Sequence, residues 1–469
     1  MKKREKDSPG AQVSTAVIVA AGLGTRMEGY EEGADPKPLL PLVGVPIIGR
    51  VMAGAARAGI SRLVVVIGNK AEAMRERLPT LTPPGAELIL VENTRYREPN
   101  GLSLLAGLGA AHGPFALLMS DHIFSPERLE LAIKAFGRDG TPRLVVEKKE
   151  DFTGDIEDAT LVGVDNEGFI RAIGKGLTEY HAIDTGMFVL CPDLVREAAE
   201  KAGPSPSISE IMGVLAGERK LKALFLDAGY WQDVDTPADM QEAEKKLYAS
   251  LVKPADGFMA RHVNRKISLF ISTRIWRLGV TPNMVTTFTL VLGLLAGLAF
   301  SRGPGAGWGL LGAALFQAHS IIDGVDGELA RLLLKESNLG FWYDIGADNI
   351  THMAVFAGIA MGQRAGGVPG PWVALGIFSA LGVLVSVIAL SPLLKPERRG
   401  QKAATKKKGL KKTVEALTSR DFSYLLFPLA VLHWLGGFLW IITIGTWIYS
   451  ALVILLRLRA RPGGEGAAA

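Results

Sequence analysis

The sequence predicts two domains of different class: an α/β domain with a Rossmann-like mixed sheet over residues 13–250, and an all-α, six-helix transmembrane domain over 284–460. Three observations carry this expectation. Up to residue 250, short apolar, strand-like runs alternate with polar helical ones, whereas beyond 283 long apolar runs dominate. The charge switches with the pattern: residues 1–250 hold 29 Lys/Arg against 36 Asp/Glu, and residues 251–469 hold 23 against 11. Finally, Asp323, Asp326, Asp344 and Asp348 lie between apolar stretches. Each ionisable group in a spanning segment costs roughly 2.5 to 3.5 kcal/mol, so four of them demand a cavity, a partner or a metal.

Residues 1–12 are a charged tail, and the first apolar run is too short for a cleavable leader, so none is expected. Val13 to Ala21 reads as a strand feeding Gly22-Leu23-Gly24-Thr25-Arg26-Met27. Such a turn offers backbone N–H groups to phosphates, and Arg26 adds charge. A Walker loop is excluded because no Gly-Lys-Ser/Thr follows. A dinucleotide fingerprint is excluded because the third glycine is missing. Together with Lys37-Pro38-Leu39, this run resembles the nucleotidyltransferases that make NDP-sugars. Further segments follow in that family's order: Asn100-Gly101-Leu102-Ser103, a strand ending in Ser120-Asp121, Ala182 to Gly186, and Trp231 to Thr236.

The resemblance covers residues 13–248 and implies a role for each segment. Gly22, Gly24 and Thr25 cradle the nucleotide's phosphates, and Arg26 and Lys37 neutralise the transferring group. Asn100, Gly101 and Ser103 contact the base. Asp121 holds Mg2+ with Asp233 or Asp235, while Lys175 and Asp184 serve the acceptor. From Glu28 to Asp35 the chain departs from the family with an acidic insertion. In-line attack by an acceptor phosphate on an α-phosphate needs no protein nucleophile, in keeping with the lack of a Ser-His-Asp or Cys-His arrangement. The single cysteine, Cys191, excludes an internal disulfide.

Residues 251–283 read as a linker and juxtamembrane helix, with Gly257 to Leu278 mixing basic and apolar side chains as an amphipathic helix on the inner leaflet does. Spans are expected near 284–300, 306–322, 349–365, 371–394, 424–441 and 443–457, followed by a 461–469 tail. Basic residues cluster before the first span, between Lys395 and Lys412, and after the last. Six crossings put all three clusters on one side, so the expected location is the cell membrane, multi-pass, with the N-terminal domain and both termini cytoplasmic. Juxtamembrane placement assigns the Lys-rich loop to membrane lipid, and no nucleic-acid partner is expected.

On helices, Asp323 and Asp326 share a face with Gly327 and Ala330, and Gly340, Asp344 and Asp348 stack on the next helix. Facing carboxylates of this kind call for hard cations, Mg2+ or Mn2+. The small residues let a ligand approach the backbone, and Arg331 can pair with phosphate. The run Asp-x2-Asp-Gly-x2-Ala-Arg-x8-Gly-x3-Asp-x3-Asp is identified as the signature of the CDP-alcohol phosphotransferase family. That resemblance implies that Asp323, Asp326 and Asp344 hold two metals against the CDP pyrophosphate. It also implies that Asp348, beside the metals, is the base for the attacking alcohol, and that a homodimer forms through the membrane helices.

Taken whole, with Trp231 to Pro237 and Asp256 to Ser268, the chain resembles the bifunctional enzymes of di-myo-inositol phosphate synthesis. The resemblance implies CTP and inositol 1-phosphate as substrates, with a CDP-alcohol passed from one domain's reaction to the other's. Two alternatives stand beside it. One keeps the chemistry with another polar alcohol or a lipid acceptor; the other is a nucleotide-sensing membrane transporter, which would release no pyrophosphate.

Overall fold

The computed structural model describes residues 13–24, 35–152, 154–252, 263–391 and 420–459, and the chain divides into two compact units, residues 1–250 and 251–469. Thr25, Arg26, most of the acidic insertion, residues 253–262, the Lys395–Lys412 loop and both tails lie outside the described residues.

In the first unit the apolar runs form a nine-stranded mixed sheet. Thr15–Ala20 is central, parallel to Arg62–Ile67 on one side and to Phe115–Met119 on the other. Glu87–Glu92 extends the parallel side. Beyond Phe115–Met119 the sheet turns antiparallel through Ala182–Leu190, which also pairs with Arg143–Lys148 and Leu161–Val164. Helices cover both faces: Ile18, Val65 and Leu118 are buried in one core, and Val17, Val64 and Leu117 in the other. These strands therefore read as continuous apolar runs rather than alternations.

This topology positions the site. From the central strand the chain runs outward through Arg62–Ile67 to Glu87–Glu92 and then crosses back to Phe115–Met119 on the other side, and open α/β sheets bind ligands in the crevice at the C-terminal ends of strands where the order reverses in this way. Gly22-Leu23-Gly24 follows one of these ends and Ser120-Asp121 follows the other. A second short ladder, His122–Phe124 against Trp231–Asp233, pairs Asp233 with His122 and draws the late acidic segment to the same edge.

The second unit is helical. Its long helices are Pro282–Ser301, Ala306–Leu332, Asn338–Ala365, Trp372–Leu390 and Leu435–Arg459, with shorter ones at Arg265–Ile275 and Leu426–Val431. Among the described residues three helices, not the expected six, are long and apolar enough to cross a membrane: Pro282–Ser301, Trp372–Leu390 and Leu435–Leu455. They make this a multi-pass membrane domain. Two causes account for the difference. The second and third long helices, of 27 and 28 residues, carry the motif carboxylates together with Gln317, His319, Asn349 and His352, which interrupt their apolar runs.

The other cause is a misplaced boundary. The expected spans 424–441 and 443–457 are divided at Leu432–Trp434, where His433 takes a φ of 53°, so that one long helix begins at Leu435. Within that helix a Cβ at Gly436 would lie 2.7 Å from the Trp372 indole, so this glycine makes room for the ring. At the start of the first long helix, Thr281 is the cap and Pro282 the first helical residue.

The first and third long helices meet along glycines spaced four apart. A Cβ at Gly297 would stand 2.6 Å from the Ala354 carbonyl oxygen, one at Gly358 2.1 Å from that of Gly297, and one at Gly362 2.1 Å from that of Phe300. Without a hydrophobic drive between helices in lipid, this backbone-to-backbone approach supplies the packing.

Candidate active sites

In the soluble unit, Lys37 opens a one-turn 3-10 helix, Lys37–Leu39, and is buried. Gly24, at φ 69°, lets it come close, since a Cβ there would stand 2.9 Å from the Lys37 Cβ. The Lys37 Nζ donates to Asp121 Oδ2 at 2.7 Å and also to Asp235. Burial works against its charge, but the two carboxylates outweigh burial and raise its pKa. Gly22, Gly24, Lys37, Pro38, Ser120, Asp121 and Asp235 line a cavity of about 180 Å3.

Asp233 has His122 as its neighbour. Its Oδ1 lies 3.3 Å from His122 Nε2, and Asp121 Oδ1 lies 3.8 Å from the same nitrogen. The other ring nitrogen, Nδ1, is 2.7 Å from the Thr185 carbonyl oxygen, to which it donates. Gly186, at φ 67°, permits this, because a Cβ there would stand 2.6 Å from Nδ1. Burial disfavours a charged His122, yet Asp233 and Asp121 outweigh it and push its pKa up to about 10. The pocket thus draws positive charge. Asp121, His122 and Asp233 each offer a ligand atom within 4.8 Å of the others. Two carboxylates and an imidazole anchored through its far nitrogen form a donor set that fits a divalent cation. His122 is the residue that sequence reasoning missed, although it directly follows Asp121.

The other expected residues fare unevenly. Asn100 Oδ1 accepts from the Ile208 N–H, Ser103 Oγ accepts from Asn93 at 2.9 Å, and a Cβ at Gly101 would meet the Pro206 carbonyl oxygen at 2.3 Å. None of the three is among the described residues that line the cavity. Asp184 lies beside the His122 carbonyl anchor, in a strand bulge where burial pushes its pKa up to about 6. Lys175 is exposed, with Asp158 its partner at 3.2 Å.

In the membrane unit the motif spans the second and third long helices. The second helix ends at Leu332, Leu334 takes a φ of 55°, and Ser337 caps the third by accepting from the Gly340 N–H at 3.0 Å. Asp323 and Asp326 are buried. Thr286 of the first long helix donates to Asp326 Oδ2 at 2.5 Å. Asp323 and Asp348 come together with His319, each offering an atom within 4.8 Å of the others; Asp344 lies one turn before Asp348. The Arg331 Nη1 lies 3.3 Å from where a Gly327 Cβ would stand, so this glycine gives room to the guanidinium. Ala330 is half-buried one position before it.

Behind the motif is a buried polar node. Glu328, fully buried, accepts from Arg265 at 2.6 Å, Ser268 at 2.7 Å and Ser272 at 2.5 Å. Asn264 accepts from Gln317 at 3.1 Å and from Tyr424 at 2.5 Å. The Asn264-Arg265 and Ser268 positions therefore tie the juxtamembrane helix to the helix that carries the motif. Phe270 and Ile267 point outward.

A phosphate crevice with a cation cluster on an α/β sheet, joined to a helical carboxylate motif, defines a nucleotidyltransferase fused to a CDP-alcohol phosphotransferase. Residues 16–202 match the MobA-like NTP transferase domain, and residues 279–458 match the CDP-alcohol phosphatidyltransferase family. A protein of Aquifex aeolicus is 32% identical over 375 residues, covering 80% of this chain and 83% of that one. One of Thermococcus kodakarensis is 37% identical over 338 residues, covering 70% and 71%. Both are described as bifunctional IPC transferase and DIPP synthase, and the chain belongs to that family. A solved inositol-1-phosphate CTP transferase from T. maritima aligns at 25% identity with a TM-score of 0.45, over 50% of this chain and 96% of that one.

Proposed function

We propose that the soluble unit joins CTP to inositol 1-phosphate, releasing pyrophosphate and CDP-inositol. At the membrane unit a hydroxyl of a second inositol 1-phosphate then displaces CMP to give di-myo-inositol phosphate phosphate. The observation that carries this is the fusion itself: the product class of one active site is the substrate class of the other, on a chain whose relatives bear both activities.

In the first reaction Lys37, with Arg26, neutralises the phosphates, and Asp121 with His122 and Asp233 would hold Mg2+ or Mn2+. Asp235 serves Lys37 instead. Lys175 and Asp184 are assigned to the acceptor. In the second, Asp323, Asp326 and Asp344 would hold two divalent cations, Arg331 pairs with phosphate, and Asp348 takes the proton from the attacking hydroxyl. The bound cations supply charge neutralisation of the pyrophosphate. The soluble unit and the Lys395–Lys412 loop are assigned to the cytoplasm, where basic clusters accumulate, with the juxtamembrane helix against anionic lipid and the membrane helices forming a homodimer.

Purified protein given CTP, inositol 1-phosphate and Mg2+ should release pyrophosphate and then CMP, with a phosphodiester of two inositols seen by mass spectrometry. Absence of pyrophosphate would refute the first half. Pyrophosphate without CMP would refute the second.

Two variants test how the activities are divided. Asp121→Ala should abolish CDP-inositol formation and leave consumption of supplied CDP-inositol near normal, because the two cation clusters lie in different units. Equal loss of both activities in folded protein argues for one composite site. A chain ending near Leu251 should remain soluble and still form pyrophosphate, given the switch from acidic to basic composition there. An inert but folded fragment would show that the soluble unit depends on the membrane unit.

A further inference from the structure

We propose that His319 is a metal ligand: its Nε2, with carboxylate oxygens of Asp323 and Asp348, holds one of the divalent cations of the phosphotransferase site. The proposal rests on the two-cation reading of the carboxylate motif and adds to it a nitrogen donor.

His319 is 3% exposed and lies four residues before Asp323, one helical turn away on the same face. Its ring stacks on Phe316, centroid to centroid at 5.7 Å, which restricts its rotation. The Nδ1 is 3.0 Å from the Thr289 carbonyl oxygen of the first long helix. A carbonyl only accepts, so Nδ1 carries the proton and donates it there. In the neutral ring Nε2 then bears the lone pair.

That lone pair faces carboxylate. Asp348 Oδ1 is 3.5 Å from Nε2, and Asp323 also reaches the group of atoms that lie within 4.8 Å of one another. A bare nitrogen and a carboxylate oxygen repel at this separation unless something positive lies between them. A metal ion supplies such a charge. Three features favour the metal. An imidazole whose far N–H donates to a backbone carbonyl is the usual arrangement of a metal-bound histidine. Two ligands on opposite sides of an Mg2+-sized ion stand about 4.2 Å apart, so small side-chain rotations close these three atoms on one cation. And His122, in the soluble unit, repeats the pattern: Nδ1 on the Thr185 carbonyl and Nε2 toward two carboxylates.

A nitrogen donor alters metal choice. Carboxylates alone suit Mg2+, whereas an added imidazole shifts preference toward Mn2+ and later metals. A carboxylate has two oxygens, so ligation through one and proton abstraction by the other can coexist on the Asp348 side chain.

The test uses Mn2+ as the probe on the full chain carrying His122→Gln, which removes the other imidazole cluster. Pulsed EPR should show a 14N coupling to Mn2+ that changes to 15N when the histidines are labelled. His319→Gln on that background should abolish the coupling and weaken Mn2+ by at least the ~10- to 100-fold that losing an outer partner of a bound imidazole costs. Mg2+ affinity should fall less. The isotope measurement needs no change at His319, so it stays decisive should that variant fail to fold. Mn2+ bound in an Asp323-dependent way without histidine coupling, or coupling that survives His319→Gln, overturns the proposal and leaves His319 as a neighbour of Asp348 that holds no metal. Mn2+ binding indifferent to Asp323→Asn would instead sink the two-cation reading itself.

Discussion

Asp348→Asn should still bind CDP-alcohol in a Mg2+-dependent way while turnover falls about 100- to 10,000-fold, the usual contribution of a general base. An amide oxygen can remain a neutral ligand, but it cannot accept the proton of the attacking hydroxyl. Asp344→Asn should behave differently and weaken nucleotide and metal together, because a lost charge in a balanced cluster leaves the cations under-coordinated. CDP-alcohol binding across a Mg2+ titration separates the two. If both variants lose affinity alike, Asp348 holds the cations no less than Asp344 does and its assignment as the base fails.

The other large effect concerns stability. Arg265→Met should destabilise the membrane unit by about 3 to 5 kcal/mol, the cost typical of leaving a buried charge without its counter-ion. Glu328 would then keep two serine donors and lose its only ion-pair partner shown among the described residues. Adding Glu328→Gln to Arg265→Met should recover part of the loss, as coupling within one pair requires. The readout is the thermal midpoint in detergent. A double variant no better than the single one would show that Arg265 contributes packing rather than charge.

What could be read from the sequence followed from periodicity. Spacings of three and four placed Asp323, Asp326, Asp344 and Asp348 on facing helices, and the structure has those helices with their break between Leu332 and Asn338. Periodicity says nothing where every residue is apolar, which is why the division near 442 was misplaced and Leu432–Trp434 was not found. The two histidines escaped for another reason. A lone imidazole in sequence has no direction, and only the Thr185 and Thr289 carbonyls show which nitrogen is left facing the carboxylates. The different partners of Asp233 and Asp235, His122 and Lys37, likewise depended on the Trp231–Asp233 ladder, a pairing between segments more than a hundred residues apart. Asn100 and Ser103 were assigned by resemblance, and nothing in the sequence signalled the hydrogen bonds that join them to Ile208 and Asn93.

The glycine seam between the first and third long helices bears on how the catalytic geometry responds to heat. Most helix contacts are cushioned by side chains that exchange rotamers as temperature rises; at Gly297, Gly358 and Gly362 the nearest atoms are backbone, joined at Gly297 by the Ala354 methyl, which has no rotamers to exchange. Thr286 and Thr289 of the first helix touch Asp326 and His319, so the spacing of the carboxylates is referenced to a joint with almost nothing in it to soften. An Arrhenius plot for the second reaction should accordingly run straight up to the temperature at which the bundle itself melts.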